Sequence, residues 1–181
     1  MRSQRPTPEF LQAIRETLRE RGAVLVVDEV TSGLRYGYPG ASAELGLPAD
    51  LVVYAKAMSN GVPFGVVVGK EAVMTAGARS FISSSYWTDG IGPAAALAVL
   101  GRMERDGVYE RMQRRGSAFQ VALKQVVERF PSMEMKVGGM PASPTLIYPA
   151  GANAMTRRVT EEMIRRGFLL SKIIYLMDAH R

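Results

Sequence analysis

Two residues of this chain have types and positions suited to covalent chemistry: an acid, Asp28, and an amine, Lys56. Asp28 closes the apolar run 24–27, and Lys56 follows the apolar run 51–54. Both runs are short, rich in Val and bounded by Gly, Pro or Asp, as buried strands are. A third such run spans 64–68. Ligands of open α/β sheets bind outside the carboxyl ends of the strands. If the first two runs are neighbouring parallel strands, the acid and the amine face one crevice.

Each residue has an ordinary alternative. Asp28 can be a structural acid that caps the next element, and Lys56 a solvated surface lysine. The pair is more telling than either member, because each stands at the end of an apolar strand. A lysine amine forms a Schiff base with the aldehyde of pyridoxal 5'-phosphate. A carboxylate beside the pyridine nitrogen keeps that nitrogen protonated. The protonated ring is an electron sink for a carbanion at the substrate Cα, and the freed lysine can carry the Cα proton.

The elements needed to hold this pair are legible. Thr7 is placed to cap a helix whose first position is Pro8. Phe10, Leu11, Ile14 and Leu18 recur at helical spacing, and Gly22 is a natural stop. The stretch 29–48 holds Gly33, Gly37, Pro39, Gly40, Gly46 and Pro48, so it is read as a long functional loop with one helical turn near 42–45. Residues 70–76 predict a short helix, 81–88 a loop or strand, and 93–105 an Ala-rich helix with Gly107 beyond it. A second long helix is expected over 108–130, with Phe119, Leu123, Val126, Val127 and Phe130 on one face. Two strands within 133–149 are joined by a Gly-Pro turn. A helix over 152–166, Gly167 as its cap and a further strand within 168–176 complete the order.

Composition narrows the function classes. Apolar residues make up 47% of the 181, enough for a core, and charged residues 22%. There is no cysteine, which excludes disulfides and thiolate metal sites. The single histidine, His180, makes a histidine triad or zinc site untenable. The longest apolar run, 94–100, is far shorter than the ~18 residues of a membrane span. Residues 1–10 have no apolar segment of the kind a signal peptide needs, so a cytoplasmic location is expected. The net charge of +6 is read as solvated helix faces. Arg157, Glu161 and Arg165, and Arg158, Glu162 and Arg166, form i, i+4 ladders. No nucleic-acid motif accompanies the charge, so no nucleic-acid partner is expected. The stretch 65–70, GVVVGK, lacks the spacing of a phosphate loop, and Ser83, Ser84 and Ser85 have no histidine to activate them.

The motifs VVDEVTSGLRYG and ADLVVYAKAMSNGVPFGVVVGKEAVM resemble the class III aminotransferases of PLP fold type I. They are most similar to the glutamate-1-semialdehyde aminomutase branch. The resemblance implies an α/β fold: a partial large domain, mainly parallel sheet with helices, over 1–106, and a small α+β domain, incomplete by family standards, over 107–181. It makes Asp28 the partner of the pyridine nitrogen, Val30 the apolar contact on the ring face and Lys56 the Schiff-base residue. YWTDGIGPAAALAVL resembles the segment whose threonine binds the cofactor phosphate of the neighbouring subunit. Thr88, five residues before Pro93, matches it.

The resemblance further implies a small-molecule amino donor, a carbonyl acceptor and a homodimer. Family members carry an additional Gly/Ser phosphate-binding loop and a ring-stacking aromatic ahead of the region matched here. On that comparison the chain is expected to be a C-terminal fragment and a poor enzyme alone. The rival reading is a non-catalytic scaffold or binding protein that keeps the sheet. Arg35 and Tyr36, in the loop after Asp28, are candidates for meeting a substrate carboxylate or sugar, or ordinary loop residues.

Overall fold

The computed structural model describes residues 6–180. Residues 1–5, part of the stretch read for a leader, and Arg181 lie outside the described residues. The chain divides into two compact units, Pro6–Tyr109 and, among the described residues, 110–180.

The first unit opens with α1 (Pro8–Arg21). The Thr7 hydroxyl accepts from the Phe10 N–H at 3.3 Å, and Gly22 leaves the helix in the left-handed conformation, φ 58°. Leu11 is buried and Ile14 and Leu18 are half-buried, but Phe10 is 58% exposed, so the packed face is narrower than its periodicity implies. Three strands follow, β1 (Val26–Asp28), β2 (Leu51–Tyr54) and β3 (Val66–Gly69), in the order β1-β2-β3. β1 and β2 are parallel, with Val26 opposite Leu51 and Asp28 opposite Val53. The helical turn α2 (Ala41–Glu44) lies on the long crossover between them.

β3 runs antiparallel to β2, with Leu51 opposite Gly69 and Tyr54 opposite Val66. The sheet is therefore mixed rather than mainly parallel over this segment. The cause is chain length: the connection 55–65 suits a return strand, whereas a parallel crossover needs a dozen or more residues. The strands are also less buried than their composition predicts. Val26 is 53% exposed, and Val67 and Val68 are each 45% exposed. Of the two readings of 81–88, the loop is the one observed: 81–84 are irregular and 85–88 form a turn. Helices α3 (Glu71–Ala78) and α4 (Ile91–Arg105) complete the unit.

Helix α5 (Val108–Glu128) carries the chain into the second unit. Its inward stripe is Met112, Gly116, Gln120, Leu123 and Val127. Phe119, Val126 and Phe130, expected on the packed face, are 38%, 50% and 51% exposed. The stripe is set by the antiparallel hairpin of β4 (Lys136–Met140) and β5 (Ser143–Ile147). The Gln120 amide donates to the carbonyls of Gly138 and Gly139 at 3.2 and 3.0 Å. Helix α6 (Asn153–Arg165) follows. On it Glu162 pairs with Arg166 at 2.9 Å and with Arg165 at 3.4 Å.

The expected strand within 168–176 does not form. The segment lies beside β5 and donates from Ile174 to the Pro144 carbonyl and from Leu176 to Ala142, but it makes only an isolated bridge, Thr145 to Ile173. The N–H and C=O of one residue leave a strand on the same edge, and Pro144 has no N–H to return. Just beyond it the chain is also held by charge. Arg111 grips Asp178 at 2.7 and 2.8 Å, and Arg115 reaches the Asp178 and His180 carbonyls. His180 accepts from the Met177 N–H through Nδ1 at 3.1 Å, a packing role.

Gly116 is where α5 touches the hairpin turn most closely. A Cβ there would lie 2.0 Å from the Pro141 carbonyl oxygen. The Gly116→Ala variant is expected to lose about 1–3 kcal/mol through this overlap, which exceeds the ~1 kcal/mol that alanine gains in a helix. Urea unfolding of the two chains measures the difference, and an unchanged or raised midpoint would contradict the close approach.

Candidate active site at the ends of the parallel strands

The parallel register brings two strand ends to the same edge of the sheet. β1 finishes at Asp28, and β2 finishes two residues before Lys56. Beyond Tyr54 the backbone stays extended at Ala55, and Lys56 begins a single 3-10 turn, Lys56–Met58. Lys56 has φ 51°, a left-handed conformation that disfavours residues with a Cβ. Packing holds the turn in place. Met58, Tyr54 and Ala96 of α4 are buried together, with Val52, Phe64, Val66 and Leu100 around them. Gly92 permits the approach of α4, since a Cβ there would fall 2.6 Å from the Phe64 ring. The Ser59 hydroxyl closes the turn by donating to the Val62 carbonyl.

The lysine backbone is thus pinned from beneath while its side chain is exposed. Its Nζ donates to Thr31 Oγ1 at 2.7 Å. Thr31 sits on the loop that leaves β1, three residues after Asp28. Asp28 is exposed, and its Oδ1 accepts from the Val30 N–H at 2.9 Å, a local side-chain turn. The capping reading of Asp28 is therefore real, yet it occupies one of about four lone-pair sites of the carboxylate. Val30 is half-buried. Thr88 is exposed in the turn before α4, and among the described residues no hydrogen bond ties it to Asp28, Val30 or Lys56.

Glu29 was not a candidate in the sequence, yet it is the most buried acid of the unit, 1% exposed. Its N–H donates to the Val53 carbonyl at 2.8 Å, extending the β1–β2 ladder. Its carboxylate accepts from the Ser42 N–H at 2.6 Å and from the Ser32 hydroxyl. A Cβ at Gly40 would lie 2.6 Å from Glu29 Oε1, so the carboxylate fills the space that glycine vacates. Burial, and after it the Glu29 charge, hold the Tyr54 phenol above its ordinary pKa. The available signal was alternation. Adjacent strand residues point to opposite faces, so of Asp28 and Glu29 one must turn inward.

The donor set fits pyridoxal 5'-phosphate: an exposed amine on a fixed backbone, a carboxylate on the neighbouring strand end and, two residues after that carboxylate, a half-buried apolar side chain. The chain superposes on the FumI protein of Sphingopyxis sp. MTA144, solved in a PLP internal aldimine form, with a TM-score of 0.88 over 96% of this chain and 42% of that one, at 24% identity. An omega-transaminase from Sphaerobacter thermophilus matches with a TM-score of 0.84 over 97% of this chain and 44% of that one, also at 24% identity. The fold is thus the one these two structures share. Residues 3–164 match the family model described as aminotransferase class-III, and the chain belongs to that family. Among curated relatives, it is 31% identical over 182 residues to a glutamate-1-semialdehyde 2,1-aminomutase of Ignicoccus hospitalis, covering 94% of this chain and 43% of that protein. It is 29% identical over 160 residues to a 3-aminobutyryl-CoA aminotransferase of Cloacimonas acidaminovorans, covering 88% and 38%. The chain therefore spans well under half the length of these relatives.

The loop that carries Thr31 is tied down at its far end. The Tyr38 hydroxyl donates to Glu104 Oε1 of α4 at 2.9 Å. Burial, then the bond to Glu104 and its charge, push the Tyr38 pKa up to about 12. A folded-state pKa above the unfolded value means that this tie stabilises the fold fully below the unfolded pKa, about 10, and is lost as pH rises through about 12. Phenolate absorbance is expected to lose one late-titrating tyrosine, the one near pH 12, in Tyr38→Phe, while Tyr54 and Tyr148, which burial also raises, still titrate above the ordinary value. A Tyr38→Phe chain with as many late-titrating tyrosines as the parent would refute the assignment.

Proposed function

We propose that this chain carries the amine and carboxylate of a PLP-dependent aminotransferase or aminomutase, acting on a small-molecule amino donor and a carbonyl acceptor. The observation that carries the reading is the held lysine: Lys56, in a left-handed backbone at the end of β2, presents an exposed amine at the edge where β1 ends in Asp28. Pyridoxal phosphate, when bound, supplies an aldehyde for amines and a ring that accepts electron density from the substrate Cα. Lys56 is the attachment point for that aldehyde and, when free, the base that moves the Cα proton. Asp28 keeps the ring nitrogen protonated, and Val30 is the apolar contact for the ring face. The aminomutase alternative draws support from the Ignicoccus hospitalis relative and from a second aminomutase, of Aeropyrum pernix, 29% identical over 179 residues.

We assign Thr88 to the phosphate in a second copy's site, which makes the complete enzyme a homodimer. Its exposure in the turn before α4 is consistent with that role. Residues 1–106 then form the cofactor-binding part and 107–181 the small domain. Because relatives are more than twice as long, residues 1–181 by themselves are expected to hold PLP weakly and turn over poorly.

Borohydride reduction with PLP, followed by peptide mapping, tests the lysine. The label is expected on Lys56 and is lost in Lys56→Ala; a label on another lysine would sink the assignment. Complementation tests the second copy, using chains of the relatives' full length. Lys56→Ala and Thr88→Ala chains are each defective, but their mixture regains activity, because the mixed dimer has one site with both residues. Two defective chains that never complement, or an active monomer on sedimentation, would rule out the shared site.

A further inference from the structure

The catalytic reading uses Asp28 and Lys56 and leaves one buried charged group without a task, Glu29. We infer that Glu29 is a positioning residue that fixes the resting place of the Lys56 amine, acting through Thr31. This inference rests on the proposed role of Lys56.

The connection is short and continuous. Glu29 is 1% exposed and anchored by its own backbone, whose N–H donates to Val53 of β2 and whose carbonyl accepts from the Gly33 N–H at 2.8 Å. Its carboxylate holds two points of the loop at once, the Ser32 hydroxyl and the Ser42 N–H. Thr31 is bracketed between the anchored residue 29 and the clamped residue 32. A side chain so bracketed has little freedom to move, and its hydroxyl stands 2.7 Å from Lys56 Nζ. Lys56 meets it from a backbone that is itself fixed by the buried Met58 turn. Both partners are thus preorganised, although the contact between them is exposed. An exposed lysine ordinarily samples many rotamers, so the clamp under Thr31 is what gives the amine one preferred place.

Glu29 could instead serve stability alone. The two roles differ in what they do to Lys56. A stabilising clamp changes the melting point and leaves the chemistry of a folded, exposed amine alone. A positioning clamp changes Lys56 even where the fold is intact, and only while Thr31 has its hydroxyl.

Reductive methylation with formaldehyde and cyanoborohydride reads this without any cofactor. The labelling rate of Lys56 is taken relative to that of Lys70, whose side chain is 58% exposed and bound to Asp50. Reaction requires the amine to leave Thr31, so losing the contact speeds labelling. In Thr31→Val the ratio is expected to rise about fivefold, as the net value of one hydrogen bond implies; in Thr31→Ser it stays at the parent value. Glu29→Ala is expected to rise by a similar factor with helix and strand content unchanged. Glu29→Gln, which can still accept from Ser42 and donate to Ser32, stays close to the parent. The double variant Glu29→Ala/Thr31→Val is expected to match Thr31→Val alone, since the inferred route from Glu29 to the lysine runs through Thr31. If Glu29→Ala does not fold, Ser32→Ala removes one arm of the clamp and is expected to raise the ratio by a smaller factor. A parent-like ratio in a folded Glu29→Ala or Ser32→Ala chain would overturn the inference, and so would additive effects in the double variant. Failure of PLP to label Lys56 would leave these ratios untouched, so the two readings fail separately.

Discussion

Everything at the candidate site follows from the parallel pairing of β1 with β2. Opposite Val53, Asp28 ends its strand at the edge from which Lys56 also emerges. A shift of register by one residue would turn Asp28 inward and Glu29 outward. The site would then present a different carboxylate, without the bond to Val30 that holds Asp28 in place. The register is held by the ladder and by Asp50, whose carboxylate accepts from the Leu25 N–H at 2.8 Å and from Lys70 at 2.7 Å. Lys70, above all, and the Leu25 bond keep the Asp50 pKa below the usual carboxylate range.

Local signals were legible wherever they are closed over a few residues. The Thr7 cap with Pro8 and Gly22 bounds α1, and the LVVY run is β2 as written. The motif around Asp28 and Lys56 named the family that the comparisons show. What was not legible depended on partners far away in the chain. Periodicity placed Phe10 and Phe119 on apolar faces but does not say how wide a partner surface will be, and both are exposed. The segment after Gly167 has the composition of a strand, yet the residue that denies it a ladder, Pro144, lies in another element. Glu29 was hidden for a related reason. An acid in a strand-end motif reads as exposed, and only the loop returning through Gly40 and Ser42 buries it.

The exposed apolar residues of the first unit fit the same picture. Val26, Val67 and Val68 lie on strands, while Phe81, Tyr86, Trp87, Ile91 and Leu97 cluster in sequence around Thr88. Phe81 is 97% and Trp87 65% exposed. Apolar surface on this scale marks an interaction face or an aggregation liability. Under the proposed function, a second copy and the remainder of the relatives' length are the natural cover.

The left-handed backbone at Lys56 sets function against folding at one residue. A side chain in that conformation costs roughly 1–2 kcal/mol, which glycine would avoid. By the local backbone energy alone, glycine suits this position better than lysine. Under the proposed function, Lys56→Gly, which that reading makes inactive, should therefore accumulate in a selection for thermal tolerance that does not also demand chemistry. On that reading, stability screens would drift away from activity at this position.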